Sequence, residues 1–287
     1  MPVIDVAPAL WKRGDNDYPI ALEDLEYPPR RLHALGDAGM LEGPIVSVVG
    51  TRRPTAYGLR VTRAIAGDLA RGGASIVSGM ARGIDAAAHR AALEVDGRTV
   101  AVMGTGIDVP YPAGHRALHE ILATRALVVS EYGTGVTAHK GAFPRRNRII
   151  AALAPVTIVI EAGHMSGALN TARQALELGR VVAAVPGPID SPESCGTNEL
   201  IRDGAMPVVS VADALALAGV SPPPKKRDAE LTEKESRVWE ALSGGGLDAD
   251  ALAARSRLPA RECLAAITSL EVLGMVECLL TGEIRRR

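Results

Sequence analysis

Residues 45–79 read IVSVVGTRRPTAYGLRVTRAIAGDLARGGASIVSG, and this stretch predicts the fold. It holds two short β-branched runs, 45–49 and 75–78, which are typical of strands buried on both faces of a parallel sheet. Between them lies an Ala-rich helical stretch, 57–71, which ends at Gly72-Gly73, where a left-handed glycine cap can close a helix. A strand, a helix and a second strand in this order form one crossover unit of an α/β sheet.

The same alternation continues to residue 185 and predicts the fold class. Further strand-type runs follow, and Ala-rich helical stretches separate most of them. Strands that alternate with helices form a doubly wound, mostly parallel α/β sheet, in which ligands bind at the carboxyl ends of the strands. The predicted later strands are 99–103, 126–129, 156–160 and 181–185, and the predicted later helices are 84–95, 114–124 and 167–178.

Composition limits the class of protein. A chain of 287 residues with 47% hydrophobic content can form one large domain and a small one. Its formal net charge of −1 means that a polyanion must be held by a local patch. The three cysteines form no Cys-x-x-Cys pair, which is typical of a reduced, cytoplasmic protein. We expect neither a secretory leader nor a membrane span, because no apolar run is long enough.

Composition also predicts the domain organisation. Residues 1–42 are predicted to form a lead-in of turns and one short helix, around Leu32 and Leu35, which packs on the main domain, 43–220. The Pro-rich, charged segment 221–230 predicts a linker.

The last segment, 231–287, predicts a small winged-helix domain. A capping box begins the first of three helices, and a two-stranded hairpin follows the third. Winged helices often read duplex DNA through the third helix, but here its polar face is nearly neutral. We therefore favour a protein-contact or accessory role and leave major-groove recognition open. The predicted helices are Thr232 to Leu242, Asp248 to Arg255 and Pro259 to Leu273.

Glycine and arginine are concentrated in the turns that follow the strands. Glycine lets backbone N–H groups approach an anion, and a helix that starts after the turn adds its positive end. These turns predict a phosphate-binding rim at one edge of the sheet, although each turn alone could be only a tight connection. The side chains expected to converge there are Arg52, Arg82, Lys140, Arg145 and Arg148, with Ser166 at a helix start.

The segment 139–148, HKGAFPRRNR, holds four cations, no acid and the only Phe of the chain. We expect it to form a polar loop that carries Phe143. Single-stranded nucleic acid binds to cations that follow its backbone and to aromatic faces on which unpaired bases stack. The alternative is that Phe143 only packs the loop against the sheet, while the arginines form a solvated edge. The segment by itself does not decide between nucleic-acid binding and this structural role.

The usual catalytic and cofactor signatures are missing. Gly104-x-Gly106 lacks the third glycine of a dinucleotide fingerprint, and no P-loop or nucleophile elbow occurs. His115 and His119 are four apart without a third ligand, so we expect a solvated helix face and no metal site. Asp85 and His89 are interpreted as a helix-start carboxylate and a buried, hydrogen-bonded histidine. We therefore expect no catalytic residues, no metal and no cofactor.

Taken in order, several motifs resemble those of the DprA/Smf family, the DNA-processing proteins of natural transformation. They are Gly50-Thr-Arg52, Ser78-Gly-Met-Ala-Arg-Gly-Ile-Asp85, Tyr111-Pro112, Ser130-Glu131, Phe143-Pro-Arg-Arg-Asn-Arg148, Glu161 with Ser166-Gly167, and Val185-Pro-Gly187. The resemblance covers nearly the whole chain.

The resemblance implies an extended Rossmann-like domain that binds single-stranded DNA as a homodimer, protects incoming DNA and loads the RecA recombinase. It implies that Arg52, Lys140 and Phe143 contact the strand. The whole predicted DNA-binding set is Gly50, Thr51, Arg52, Arg53, Gly79, Arg82, Lys140, Phe143, Arg145, Arg146, Asn147, Arg148, Ser166 and Gly167.

The sequence is compatible with three functions. The leading hypothesis is a non-enzymatic recombination mediator. One alternative is a Rossmann-like enzyme that binds or hydrolyses free nucleotides with the rim and Glu161. The other is a transcription regulator that acts through its winged helix.

Overall fold

A computed structural model describes residues 8–221, 231–272, 275–279 and 282–286. The chain divides into two compact units, Met1–Pro223 and Pro224–Arg287. Of the predicted linker, residues 222–230 lie outside the described residues.

The first unit is built on a nine-stranded sheet in the order β1-β2-β6-β5-β4-β3-β7-β8-β9. Strands β3 to β9 are all parallel to one another. Strands β1 and β2 are added next to β6 in antiparallel pairings. The fold class predicted from the sequence is confirmed. The strands are β1 Ala9–Lys12, β2 Arg31–Gly36, β3 Ile45–Val49, β4 Ser75–Ser78, β5 Thr99–Met103, β6 Leu127–Ser130, β7 Val156–Val159, β8 Val181–Ala184 and β9 Met206–Pro207.

Helices cover both faces of this sheet because the side chains of each buried strand alternate between two apolar cores. Val100 and Val102 face the core that holds α4 and α5, whereas Ala101 and Met103 face the side of α3. Helices α1, α2 and α7 pack on that second side as well. The helices are α1 Ala56–Arg71, α2 Ile84–Leu93, α3 Arg116–Arg125, α4 Ala142–Leu153, α5 Gly167–Glu177, α6 Cys195–Arg202 and α7 Val211–Leu217.

The strand order reverses between β3 and β7. From β3 the chain adds β4, β5 and β6 on one side, and then returns to place β7, β8 and β9 on the other side. In open α/β sheets, the crevice outside the carboxyl ends of the strands at such a switch point is where ligands bind. A binding site is therefore expected at the turns after β3 and β7.

The lead-in differs from the prediction. Leu32 and Leu35 lie in strand β2, which pairs with β6, and not in a helix. Their three-residue spacing suggested a helical face, but Leu32 and Ala34 pack in one core while Leu35 packs in the other. The side chains of this segment therefore alternate with a period of two residues, as in a strand. Pairing with β6 outweighs the local preference for a helix.

The segment that carries Phe143 also differs from the prediction. It is not a loop, because α4 begins at Ala142 after Gly141, whose φ of 89° is left-handed. Pro144 is tolerated in the first helical turn, where its missing N–H would have no partner. The cations that follow Phe143 are therefore spread around a helix.

The second unit has the predicted winged-helix architecture. Thr232 and Glu235 form the capping box at the start of the first helix, and Asp248 caps the second. The three helices pack around Val238, Leu252 and Leu270. The elements are α8 Glu233–Ala241, α9 Ala249–Ser256, α10 Ala260–Val272 and a hairpin of β10 Val276–Cys278 with β11 Ile284–Arg286.

In the part of the chain that the structure describes, no helix combines the length and the apolar character needed to cross a membrane.

Candidate nucleic-acid interface

A cleft of about 590 Å³ lies at the switch point, and we call it the switch-point cleft. The turn after β3, residues 50–53, forms one wall, and the turn after β7 with the first residues of α5 forms another. The first two turns of α4 contribute Phe143, Arg146 and Asn147. Ser166 is the N-cap of α5 and accepts a hydrogen bond from the Ala168 N–H, as its predicted position at a helix start requires.

Three arginines lie together at this cleft. Arg52 and Arg53 line it, and both also line an adjoining cavity of about 450 Å³ together with Arg82. All three are exposed, and none forms an ion pair with any carboxylate of the described residues. Lys140 is also exposed and lies just before α4, but it lines neither cavity. The expected convergence of cations is therefore confirmed for Arg52 and Arg82.

Phe143 is half-buried in the same place. Its ring rests on the turn after β5, so closely that a Cβ atom on Gly104 would lie 2.8 Å from the ring. The Tyr111 ring centroid is 4.8 Å away, and the guanidinium carbon of Arg52 is 5.8 Å from the Phe143 centroid. The ring therefore packs on the edge of the sheet but is not buried in the core.

Tyr111 is the aromatic residue that sequence reasoning missed at this site. Its ring is 39% exposed and lies against Phe143, in the cavity that also holds Arg82. The signal was present as Tyr111-Pro112 in a turn after a strand. Two neighbouring rings beside cations offer more stacking surface than Phe143 alone.

Arg146 does not belong to the exposed cations. It is only 5% exposed, and its guanidinium donates hydrogen bonds to the carbonyl oxygens of Gly79, at 2.7 Å, and Val102. A Cβ on Gly79 would lie 2.5 Å from this guanidinium, so glycine is needed there for packing. Arg146, which the sequence placed in the DNA-binding set, instead joins the turns after β4 and β5 at the base of the cleft.

The buried Asp85 carboxylate lies in the same cluster. It accepts hydrogen bonds from the backbone N–H groups of Gly79, at 3.2 Å, and Ala81, at 3.4 Å. Burial raises the pKa of Asp85, although the charge of Arg146 and these two N–H groups oppose the rise. Burial also lowers the pKa of Arg146 to about 10, so the guanidinium stays positive at pH 7. A buried guanidinium and a buried carboxyl group therefore lie together at the base of the cleft.

Arg145 and Arg148 point away from the switch-point cleft, and the prediction that they converge with Arg52 is wrong. Arg145 pairs with Glu131 at 2.9 Å, and Arg148 pairs with the same carboxylate at 2.6 Å. Residues two and five positions after Phe143 lie on the far side of a helix with 3.6 residues per turn. Asn147, in contrast, faces the cleft and donates hydrogen bonds to Gly167 and Asn170.

Glu161 is the carboxylate that a nucleotide-hydrolysing enzyme would need at this site, but its oxygens are engaged in structural hydrogen bonds. It is buried, and its two oxygens accept hydrogen bonds from the Thr55 N–H, at 2.9 Å, and the Thr55 hydroxyl, at 2.5 Å. Thr55 is the N-cap of α1, so the carboxylate stabilises the start of that helix. No oxygen of this carboxylate is left without a protein partner.

The histidines take structural positions. His119 is buried and donates from Nε2 to the Ile107 carbonyl at 2.8 Å, so the expected solvated helix face is wrong for this residue. His89 is buried with Nδ1 2.7 Å from the Thr99 hydroxyl, as interpreted from the sequence. Within the described ranges, no three His, Cys, Asp or Glu side chains are grouped so that they could hold a metal ion.

The buried His89 predicts a pH dependence of stability. Burial lowers its pKa from the ordinary 6.5 to about 3. Between these values the unfolded chain binds a proton that the folded chain does not, so stability falls as the pH is lowered. From pH 7 to pH 5 the expected loss is about 2 kcal/mol, measured by urea unfolding. A His89→Asn variant should lose about 2 kcal/mol less over that range; an unchanged pH dependence would contradict this role.

Comparison with known families matches both units. The family model of DNA recombination-mediator protein A matches residues 9–219, and the model of the DprA winged helix domain matches residues 222–279.

Curated relatives agree with these matches. The putative DNA processing protein DprA of Mycobacterium tuberculosis is 45% identical over 260 residues, which are 87% of this chain and 67% of that protein. DNA processing protein DprA of Streptococcus pneumoniae is 43% identical over 202 residues, which are 70% of this chain and 71% of that protein.

Solved structures give the same result. The crystal structure of DprA from Streptococcus pneumoniae superposes with a TM-score of 0.70 at 42% identity, over 73% of this chain and 74% of that one. DNA processing protein A from Helicobacter pylori, whose structure describes a single-stranded DNA binding mode, superposes with a TM-score of 0.67 at 34% identity, over 74% of this chain and 96% of that one. The chain belongs to the DNA recombination-mediator protein A family, the DprA/Smf family of DNA processing proteins.

Proposed function

We propose that this chain is a non-enzymatic recombination mediator that binds single-stranded DNA at the switch-point cleft. The observation that carries the proposal is the half-buried ring of Phe143, which lies beside Tyr111 and the exposed guanidinium of Arg52. Arg53, in both cavities, and Arg82, in the adjoining one, extend the positive surface around Arg52. Aromatic faces next to cations that bear no carboxylate partner are what an unpaired, phosphate-linked strand requires.

The arrangement favours a single strand over a duplex. In a duplex the base faces are already stacked on one another, whereas an unpaired base can rest on the exposed face of a side-chain ring. The N-terminus of α5 begins at the wall of the cleft, where N–H groups and the helix dipole favour phosphate. Stacking and phosphate contacts of this kind are largely independent of base sequence.

Protection of incoming DNA, loading of RecA, assembly as a homodimer and a cytoplasmic location complete the proposal. Membership of the recombination-mediator family supports them. A mediator of this kind shields the strand by covering its phosphates and bases, and it then passes that strand to the recombinase. We expect the chain to accelerate RecA filament formation on strands already coated by another single-strand-binding protein.

Binding should depend on strand type and on salt. We expect the full-length chain to bind labelled oligothymidine more tightly than a duplex of the same length. If Arg52, Arg53, Arg82 and Lys140 each contact one phosphate, the logarithm of the affinity should fall against the logarithm of salt with a slope of about −2.8. Fluorescence anisotropy at two or more salt concentrations measures both quantities. A preference for duplex, or affinity that does not change with salt, would contradict the proposal.

Two competing functions give different outcomes in companion assays. A nucleotide-hydrolysing enzyme would show saturable turnover of a mononucleotide, which the engaged Glu161 does not favour. A winged-helix regulator would lose its DNA binding in a chain that ends at Ser221, whereas the mediator should keep most of its single-strand affinity.

A further inference from the structure

A second cleft, of about 510 Å³, opens on the side of α4 that faces away from Phe143. Its walls come from Arg13 and residues 26–31 of the lead-in, from Glu131-Tyr132 and from Arg145. We call it the lead-in cleft. Arg148, whose side chain is only 13% exposed, fixes these walls to one another, because it donates to the Tyr27 carbonyl at 2.9 Å and to Glu131 at 2.6 Å.

The charge of this cleft is positive on balance, because four arginines, Arg13, Arg30, Arg31 and Arg145, line it together with two carboxylates, Glu26 and Glu131. Arg13 pairs with Glu23 at 2.6 Å. Glu131 is neutralised by its two arginine partners, Arg145 and Arg148. Arg30 and Arg31 are exposed and, among the residues that the structure describes, pair with no carboxylate. Two cations without partners in one concave surface favour an anionic ligand.

An exposed aromatic ring lies in the same cleft. Tyr27 is 74% exposed, whereas the other large aromatic residues of the described lead-in, Trp11 and Tyr18, are buried in the core. The Tyr27 backbone is held by Arg148, so the exposed ring extends from a fixed segment. An exposed ring beside arginines repeats the combination seen at the switch-point cleft.

The first turn of α4 separates the two clefts and contributes to both. Phe143 and Pro144 line the switch-point cleft, and the next residue, Arg145, lines the lead-in cleft. Lys140 is exposed and lies just before this turn in the chain. A polynucleotide that leaves one cleft across this turn therefore meets the other.

We propose that the lead-in cleft binds a second segment of the same single strand, with phosphates at Arg30 and Arg31 and a base stacked on Tyr27. This inference rests on the proposed function and extends it, because it makes affinity depend on strand length. The ligand is a polynucleotide long enough to span both clefts, and a short oligonucleotide fills the switch-point cleft alone.

The test compares two lengths of oligothymidine, about 5 and about 15 nucleotides, on the full chain. For the longer strand, Tyr27→Ala should weaken binding about tenfold, and the double variant Arg30→Ala/Arg31→Ala should reduce the salt slope by about 1.4. For the shorter strand, both variants should bind as the unaltered chain does. Tyr27→Phe keeps the ring and should keep the affinity. The matched control is Arg63→Ala/Arg90→Ala, which removes two exposed arginines that line neither cleft.

The possible outcomes separate this inference from the function on which it rests. Unchanged binding of the longer strand in both variants overturns the inference and leaves the proposed function standing. An equal loss for both lengths, or an equal loss in the control, also overturns it, because the residues would then act through general charge. Failure of the unaltered chain to bind either length overturns the proposed function and this inference together.

Discussion

Alanine in place of Phe143 is expected to weaken the binding of single-stranded DNA by about 5- to 150-fold, since stacking on an aromatic side chain contributes roughly 1–3 kcal/mol per base. The half-buried ring packs on Gly104 and Tyr111 at the edge of the sheet, outside the apolar core of strands and helices. The fold should therefore survive the change. Anisotropy titration with labelled oligothymidine measures the loss.

Matched variants separate stacking from other effects. Phe143→Tyr keeps an aromatic face and should retain most of the affinity. Arg52→Ala should weaken binding and reduce the salt slope by about 0.7, the contribution of one phosphate contact. Arg63→Ala, which removes an exposed arginine of α1 outside the cleft, should change neither quantity. If Phe143→Ala and Arg52→Ala both bind as the unaltered chain, the switch-point cleft is not the binding site.

Methionine in place of Arg146 is expected to destabilise the first unit by about 3–5 kcal/mol, because it removes one member of a buried charged cluster. The Gly79 and Val102 carbonyls would lose their donor, and the Asp85 carboxylate would lose the positive charge nearest to it. Urea unfolding followed by circular dichroism measures the change. Arg145→Met, on the exposed side of the same helix, should cost no more than about 1 kcal/mol.

A double-mutant cycle tests the reason for that loss. If the unpaired Asp85 carboxylate causes much of the penalty, Asp85→Asn combined with Arg146→Met should be less destabilising than the sum of the two single changes. Additive effects would show that Arg146 stabilises the turns only through its hydrogen bonds to the carbonyls. Unchanged stability in Arg146→Met would contradict the buried cluster altogether.

The central sheet could be predicted from the sequence because parallel strands buried on both faces are continuous apolar runs. Strands β3 to β8 all coincide with such runs, and each is separated from the next by a helix or a glycine-rich turn. Strands β1 and β2 could not be predicted in this way. Strand β1 lies at the edge of the sheet and pairs with β2, and β2 pairs in turn with β6. These pairings determine the conformation of both strands.

The site was predictable in its composition and only partly in its geometry. The sequence indicated the cations and the single Phe. Because we expected a loop, we did not predict that the turn of a helix would separate Arg145 and Arg148 from Phe143. Pro144, allowed in a first helical turn, and the apolar residues from Ile149 to Leu153 were the signals for that helix. The burial of Arg146 had no local signal, because its acceptors, Gly79 and Val102, are 67 and 44 positions earlier in the chain.

The most direct test of the central claim is photo-cross-linking of the full-length chain to an oligonucleotide that carries 5-iododeoxyuridine, followed by mass spectrometry of the peptides. The proposal predicts cross-links to the peptide that contains Phe143 or to the one that contains Tyr111. It also predicts their loss in Phe143→Ala with the fold intact. Cross-links confined to residues 231–287 would contradict it.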